Sequence, residues 1–396
     1  MDYIFLSRDK RFHCIASYRA LVQKDFAKNL WIPYTNLFSK DSAHRVVRGT
    51  VKNIFYDHVI LDAGEQSSSD ITLSTYHPET DPQRINFDYL VIATGSQVPA
   101  PAKWDVDNSA DGLKLLDQAR EDLEASERIV IIGGGACGCE EAGEIKYRYP
   151  KKSVTVIHEG PALVDYPGYP QSFKDEARRF LENQGVEVIL NERVEIEGLS
   201  RENGIQKADR TIKLKHSGRT IQSDMQFFST GMSVDTQLLS TLLPFPAVSS
   251  DKNKDAFDFK SLLDPKTKAI LVKSTLQLDN DAFQHIFAIG DVSKADPVLT
   301  AQAAVSAGET AACNIVKLIQ NAKSKHEAKD SLCHSSYKLE KYQHTRPLMV
   351  LAMNPKGGVT HLPVLGTWFG NLGAWLVKSN DLFSGRFWHE MNMHRP

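Results

Sequence analysis

Arg128-Ile-Val-Ile-Ile-Gly-Gly-Gly-Ala-Cys-Gly-Cys-Glu-Glu-Ala-Gly-Glu144 reads as a strand, a tight turn and a helix start in uninterrupted order. Gly133, Gly135 and Gly138 give the G-x-G-x-x-G spacing. In that spacing the first glycine makes the turn, the second lets a pyrophosphate approach the backbone, and the third lets helix and strand pack closely. The helix N-terminus then offers free N–H groups and a partial positive charge to phosphate. The bare motif is weak. The apolar run Ile129 to Ile132 before it and a second strand, Val154-Thr-Val-Ile157, after a helix of suitable length supply the βαβ context of a dinucleotide site. Against this stands only a coincidental glycine turn.

With 396 residues the chain exceeds one ordinary core, so at least two domains are expected. Hydrophobic residues make up 41% and the formal net charge is -2, so there is no global basic field and no nucleic-acid partner is expected. No apolar run approaches the roughly 18 residues of a membrane span, and the start is too weakly apolar for a signal peptide. The default expectation is cytoplasmic. The five cysteines, Cys14, Cys137, Cys139, Cys313 and Cys333, contain no C-x-x-C pair, which argues against a disulfide framework and dithiol redox chemistry. Cys137 and Cys139 read as small residues in a crowded turn. His326, His334, His344 and His361 lack metal-ligand spacing, and no metal is expected.

Along the chain, short β-like runs (3–6, 44–54, 58–61) precede a polar loop (64–86) and an apparently buried strand, Phe87-Asp-Tyr-Leu-Val-Ile-Ala-Thr-Gly95. A proline-rich connector (97–103) leads to a helix over 110–126 and then to the glycine motif. An amphipathic helix is expected over 172–184, strands over 186–190 and 210–215, and a second Thr-Gly strand ending at Thr230-Gly231. The repeated ending at Thr94-Gly95 suggests two related nucleotide-binding units. Residues 243–268 read as an irregular excursion, 269–272 and 286–291 as strands, 298–319 as a long helix and 320–337 as a linker.

Phe87 to Gly95, Ile131-Ile-Gly-Gly-Gly-Ala-Cys-Gly-Cys-Glu140 and Phe287-Ala-Ile-Gly-Asp291 together resemble the two-dinucleotide-binding pyridine nucleotide:disulfide oxidoreductases. Arg11-Phe-His13, Phe26-Ala-Lys28, Ala142-Gly-Glu-Ile-Lys146, Val154-Thr-Val-Ile-His158 and Lys378-Ser-Asn-Asp-Leu-Phe383 are similar to apoptosis-inducing-factor-like flavoproteins of the ferroptosis-suppressor type. Thr300-Ala-Gln302 echoes a helix start of the related type II NADH:quinone dehydrogenases. The resemblance implies an α/β fold with two Rossmann-like dinucleotide-binding domains, an FAD domain (1–103 and 268–332) and an NAD(P)H domain (104–267), plus a small α+β C-terminal unit (333–396). It departs from the family at the start. Tyr3-Ile-Phe-Leu6 matches the second FAD-domain strand, ending in Ser7, Arg8 and Asp9 where an acid is usual, and the first glycine motif is missing. The FAD domain is therefore expected to be incomplete and its FAD affinity weakened, either through truncation or in a protein with a crippled flavin site.

By the resemblance, Gly290 and Asp291 would meet the flavin's ribityl or pyrophosphate region, with Thr94, Gly95 and Gly231 at the strand ends. Glu140 would hold the nicotinamide carboxamide or ribose, or be a helix N-terminal acid. Glu141 and Glu144 read as plain helix residues. His158, where an Asp or Glu would select NADH, points to use of NADH or NADPH, or to a strand end without ligand contact. Gln302 would touch flavin O2 or a quinone carbonyl, or cap the surface; His13 and Arg19 would pack near the flavin.

The leading expectation is an FAD-dependent NAD(P)H oxidoreductase passing electrons to a quinone-type acceptor. Hydride transfer needs stacking and a dry pocket, not a side-chain nucleophile. The alternative is a flavin-deficient NAD(P)H-binding regulator or inactive paralogue acting through protein contacts. Trp368, Phe369, Leu372, Trp375 and Leu376 recur at helical spacing beside Lys378, Arg386 and Arg395, which suits a peripheral membrane contact or simple packing on a neighbour.

Overall fold

Ile129, Val130 and Ile131 are apolar on consecutive positions, so no face of their strand can be left to water; such runs form buried parallel strands. The computed structural model describes residues 3–7, 12–14, 18–62, 84–106, 108–195, 204–244, 257–327, 337–367 and 370–396. In it Arg128–Ile132 is the central strand of a five-stranded sheet, flanked by Ser153–Ile157 and then Glu187–Ile189 on one side, and by Thr220–Phe228 and then Ile205–Lys213 on the other. Only the outermost pair, Thr220–Phe228 with Ile205–Lys213, is antiparallel.

Contacts divide the chain into two units. The first comprises Met1–Arg48, Val98–Met232 and Arg346–Pro396, and the second comprises Gly49–Gln97 and Ser233–Thr345. Residues 1–48 and 346–396 thus group with the glycine motif, whereas the sequence expectation gave them to a flavin domain and a separate C-terminal unit. The reason is a set of long-range polar contacts, built around Arg19 and Glu140, that the sequence does not display.

In the first unit the helix Ala136–Arg148 connects the central strand to Ser153–Ile157. Gly143 lets it lie directly on the C-terminal strand Met349–Asn354: a Cβ there would come 2.1 Å from the Met353 carbonyl oxygen. The amphipathic helix Gln171–Asn183 buries Phe173, Ala177 and Leu181, spaced four apart. It ends in a Schellman motif, with Val186 N–H on the Leu181 carbonyl and Gly185 N–H on that of Glu182. The C-terminal part forms an antiparallel sheet, Met349–Asn354, Gly357–Leu362 and Gly366–Thr367, followed by Gly370–Ala374, which runs on as a π-turn, Trp375–Ser379. Near the other end of the chain, Ile4–Ser7 pairs parallel with Arg45–Arg48.

The second unit holds a three-stranded antiparallel sheet (Val51–Ile54, His58–Leu61, Arg84–Asn86) and a parallel pair, Leu90–Ile92 with Ile286–Ala288. Its long helix, Ala301–Glu327, packs Ala307, Ala311 and Ile315 against Leu276, Phe287 and Tyr342. Asn314 is fully buried, its amide donating to the Thr275 and Glu340 carbonyls and its oxygen accepting from Glu340 N–H.

Several local expectations change. The run 44–54 is two strands, and 269–272 makes isolated bridges only. The expected buried strand 87–95 shrinks to Leu90–Ile92, of which only Ile92 is buried, because among the described residues it has a sheet partner on one side alone. The long helix continues to Glu327, into the stretch expected to be linker. Arg8, Asp9, Arg11, most of the polar loop, Cys333, His334, Trp368 and Phe369 lie outside the described residues, as do the side chains of His13, Cys14 and His326.

Candidate functional site: a glycine turn and its surroundings

The turn after Ile132 is made by Gly133 at φ +118°, a conformation L side chains rarely adopt. A Cβ on Gly133 would lie 2.2 Å from the Ser229 carbonyl oxygen, and one on Gly138 would lie 2.0 Å from that of Gly133. Both positions therefore exclude any side chain. Gly135, the N-cap, differs: its φ is ordinary, and a Cβ there would meet only the Tyr166 hydroxyl, at 2.8 Å. That hydroxyl accepts the Ala136 N–H at 3.0 Å, and burial raises its pKa to about 12.

His158 stands at the end of Ser153–Ile157, as expected from its place in the motif. Its Nδ1 accepts the Gly134 N–H at 3.2 Å, which puts the ring proton of the neutral form on Nε2. Burial lowers its pKa, partly opposed by Glu159 and Asp165. Glu159 itself pairs with Arg193 on the surface. Cys139 is fully buried and its thiol pKa is pushed up by that burial, in keeping with a packing role.

The helix Ala136–Arg148 carries three acids, and none is a plain helix residue. Glu140 Oε1 accepts the Ala352 N–H at 3.0 Å and Lys378 Nζ at 2.7 Å, joining the helix to the C-terminal strand and π-turn. Glu141 is buried beneath the turn, with Oε2 accepting from the Ser229 hydroxyl at 3.0 Å and Oε1 without a hydrogen-bond partner; burial raises its pKa to about 8. Glu144 forms a buried ion pair with Arg19 at 2.7 Å. The reading of Glu141 and Glu144 as plain helix residues is corrected, because their face of the helix packs against the unit's interior.

Arg19 is likewise corrected. Its Nε and Nη2 donate to Glu144 Oε1, and its Nη1 donates to the Ser379 and Asn380 carbonyls. A guanidinium engaged in this way and 2% exposed holds the unit together and presents no face to a cofactor.

In the second unit, Gly290 (φ +68°) and Asp291 line a shallow recess with Asp296, Thr300, Ala304 and Tyr342. Asp291 accepts from the Ser96 hydroxyl at 2.7 Å. Asp296, which the sequence reading missed, accepts from the Tyr342 hydroxyl and the Thr345 N–H, fixing the chain at 342–345. Thr300 caps the long helix through the Ala303 N–H, while Gln302 is exposed and outside the recess lining. Thr94 and Gly95 (φ +67°) also lie outside that lining. The candidates thus fall into two sets: Gly133, Gly135, Gly138, Glu140, His158 and Gly231 in the first unit, and Thr94, Gly95, Gly290, Asp291 and Gln302 in the second.

The first set fits a dinucleotide, since Gly133 and Gly138 hold a tight turn and the nearest side chain over Gly135 is Tyr166. In the second set, Gly290 and Asp291 share a recess lining, which fits one part of a flavin nucleotide.

The family described as pyridine nucleotide-disulphide oxidoreductase matches residues 13–308. Apoptosis-inducing factor homolog A of Dictyostelium discoideum is 28% identical over 97% of this chain and 85% of its own length. Ferroptosis suppressor protein 1 is 29% identical in Taeniopygia guttata and 27% in Homo sapiens, each over 98% of this chain and 89% of the relative. Among solved structures, the ferredoxin reductase for the CYP199A2 system of Rhodopseudomonas palustris superposes with TM-score 0.54 at 15% identity, covering 86% of this chain and 71% of that one. The fold is the α/β FAD/NAD(P)-binding oxidoreductase fold.

Proposed function

The chain belongs to the pyridine nucleotide-disulphide oxidoreductase family, and from that premise we propose that it is an NAD(P)H oxidoreductase that uses FAD to pass electrons to a quinone-type acceptor. The observation that carries this reading is the Gly133–Gly138 turn, in which Gly133 and Gly138 admit no side chain and Gly135, between them, faces the end of the Tyr166 side chain. FAD, when bound, would supply the acceptor for hydride and the means to release electrons singly or in pairs. The protein's own part is positioning. Ala136 and Gly135 would present backbone to the pyrophosphate, Glu140 would orient the nicotinamide end, and Gly290 and Asp291 would hold the flavin's ribityl end. His158 in place of a strand-end acid supports use of both NADH and NADPH, since the neighbouring carboxylate, Glu159, is paired with Arg193. Gln302, exposed at its helix start, is available to a quinone carbonyl.

The Gly133–Gly138 cradle needs no flavin to hold a nicotinamide nucleotide, which is compatible with a second reading, a flavin-deficient NAD(P)H-binding regulator. Absorbance in the flavin band after gel filtration, followed by NADH oxidation with a soluble quinone, separates the two. The first reading expects a yellow protein with quinone-dependent turnover; a colourless protein that binds NADH supports the second. In either case Gly135→Val should weaken NADH binding by roughly 100-fold, the loss of one or two charge-assisted hydrogen bonds at about 1.5–3 kcal/mol each. Its stability should fall by little more than the Tyr166–Ala136 hydrogen bond, because the atoms within 4 Å of the added Cβ belong to the far end of the Tyr166 side chain. Equal NADH affinity in parent and variant would remove the turn from the binding site.

A lipid-facing role for the C-terminal part belongs to the same proposal. Leu372, Trp375 and Leu376 are exposed, as are Val364 and Leu365. The positive charges expected to help are already paired, however: Lys378 with Glu140, Arg386 with Glu390, and Arg395 with Asp381. Among the described residues no helix is long and apolar enough to cross a membrane. Liposome co-sedimentation should therefore drop in a Trp375→Ala/Leu376→Ala variant and vary little with salt or anionic lipid. A steep salt dependence, or equal sedimentation of parent and variant, would count against this contact.

A further inference from the structure

The space above the second glycine of the motif is filled by the protein itself. We propose that Tyr166 is a displaceable plug of the nicotinamide-nucleotide cradle, its hydroxyl standing where a ligand pyrophosphate oxygen would sit; this rests on the nucleotide reading of the Gly133–Gly138 turn. The Tyr166 hydroxyl accepts the Ala136 N–H at 3.0 Å, at the N-terminus of a 13-residue helix, and lies 2.8 Å from where a Gly135 Cβ would be. A neutral oxygen there satisfies an amide that the helix dipole would give more strongly to an anion.

The loop that carries it is built for this placement. Leu163 and Val164 are fully buried, and Val164 N–H donates to the Gly134 carbonyl at 2.9 Å. Val164 is held at φ +47°, a costly left-handed conformation for a β-branched residue. A tight bend from the Val164 carbonyl to Tyr166 N–H then aims the ring back over the turn. Tyr166 itself is half-buried, and turning its side chain out would break its hydrogen bond to Ala136 and its edge-on contact with Tyr169 while leaving Leu163 and Val164 anchored. Nucleotide entry then exchanges one hydroxyl for phosphate on the same amide. Apparent affinity is lowered by whatever fraction of the molecules is plugged.

The test uses the full chain, with NADH as the probe. Tyr166→Phe keeps the ring and removes only the hydroxyl, so NADH should bind about 5-fold more tightly, the equivalent of one net hydrogen bond. Tyr166→Ala should move in the same direction, while adenosine, which lacks phosphate, should bind parent and variants alike. Amide hydrogen exchange over residues 133–138 should quicken in unliganded Tyr166→Phe and slow again on adding NADH. Weaker NADH binding by Tyr166→Phe would overturn the proposal, making the hydroxyl a ligand contact. Faster exchange with unchanged affinity would also overturn it, yet leave the nucleotide site standing. If parent, Phe and Ala proteins all fail to bind NADH, the nucleotide reading falls and takes the plug with it.

Discussion

Arg19→Ala should cost about 3–5 kcal/mol of unfolding free energy, the usual penalty for stripping one partner from a buried ion pair. The substitution leaves the Glu144 carboxylate in an interior where burial already pushes its pKa up against the pull of Arg19. It also removes the donor to the Ser379 and Asn380 carbonyls, at the end of the π-turn whose Lys378 holds Glu140. Loosening of the C-terminal segment should therefore accompany the loss of stability, read as faster proteolysis there. Replacing both partners, as Arg19→Met with Glu144→Leu, should recover most of the loss, because two apolar groups carry no desolvation penalty. Urea unfolding of the two single variants and the double variant measures the coupling. A cost below about 1 kcal/mol for Arg19→Ala would mean that the pair is solvated, as surface pairs are.

The second large effect is a pH dependence centred on Glu141. Its folded pKa, about 8, lies above the ordinary glutamate value of 4.5 because the carboxyl is buried, and only the Ser229 hydroxyl favours its ionised form. Between those two values the folded state holds a proton that the unfolded state has released. Stability must therefore fall as pH rises from about 4.5 to 8 and level off above that, where both states are ionised. From pH 5 to pH 8 this single group should remove about 3 kcal/mol. Glu141→Gln cannot ionise and should lose about that much less over the same interval. Parallel pH profiles of the urea midpoint in parent and variant would show that Glu141 is ionised throughout.

Much of the site was legible because its requirements are local. The spacing of Gly133, Gly135 and Gly138, the apolar strand before them and the strand ending at His158 are satisfied within about thirty residues, and the fold places them as the motif implies. Glu140 was singled out by its distance from Gly138, but its contact with Ala352 N–H could not be, since 212 residues separate them. Glu141 and Glu144 were misread because charge on a helix ordinarily faces water; nothing nearby in sequence says that this face is covered. Tyr166 and Asp296 carried no signal at all, being single polar residues in loops.

The sequence by itself determined the βαβ glycine turn, the family and the αβ alternation, because backbone sterics and hydrophobic period act between near neighbours. Tertiary structure alone decided which charges are buried and which side chains fill the cradle. Arg19 and Ser379 lie 360 positions apart, and their contact depends on two separate segments converging on one helix. A buried charge is stable only where its partner arrives, and that arrival is a property of the packed chain.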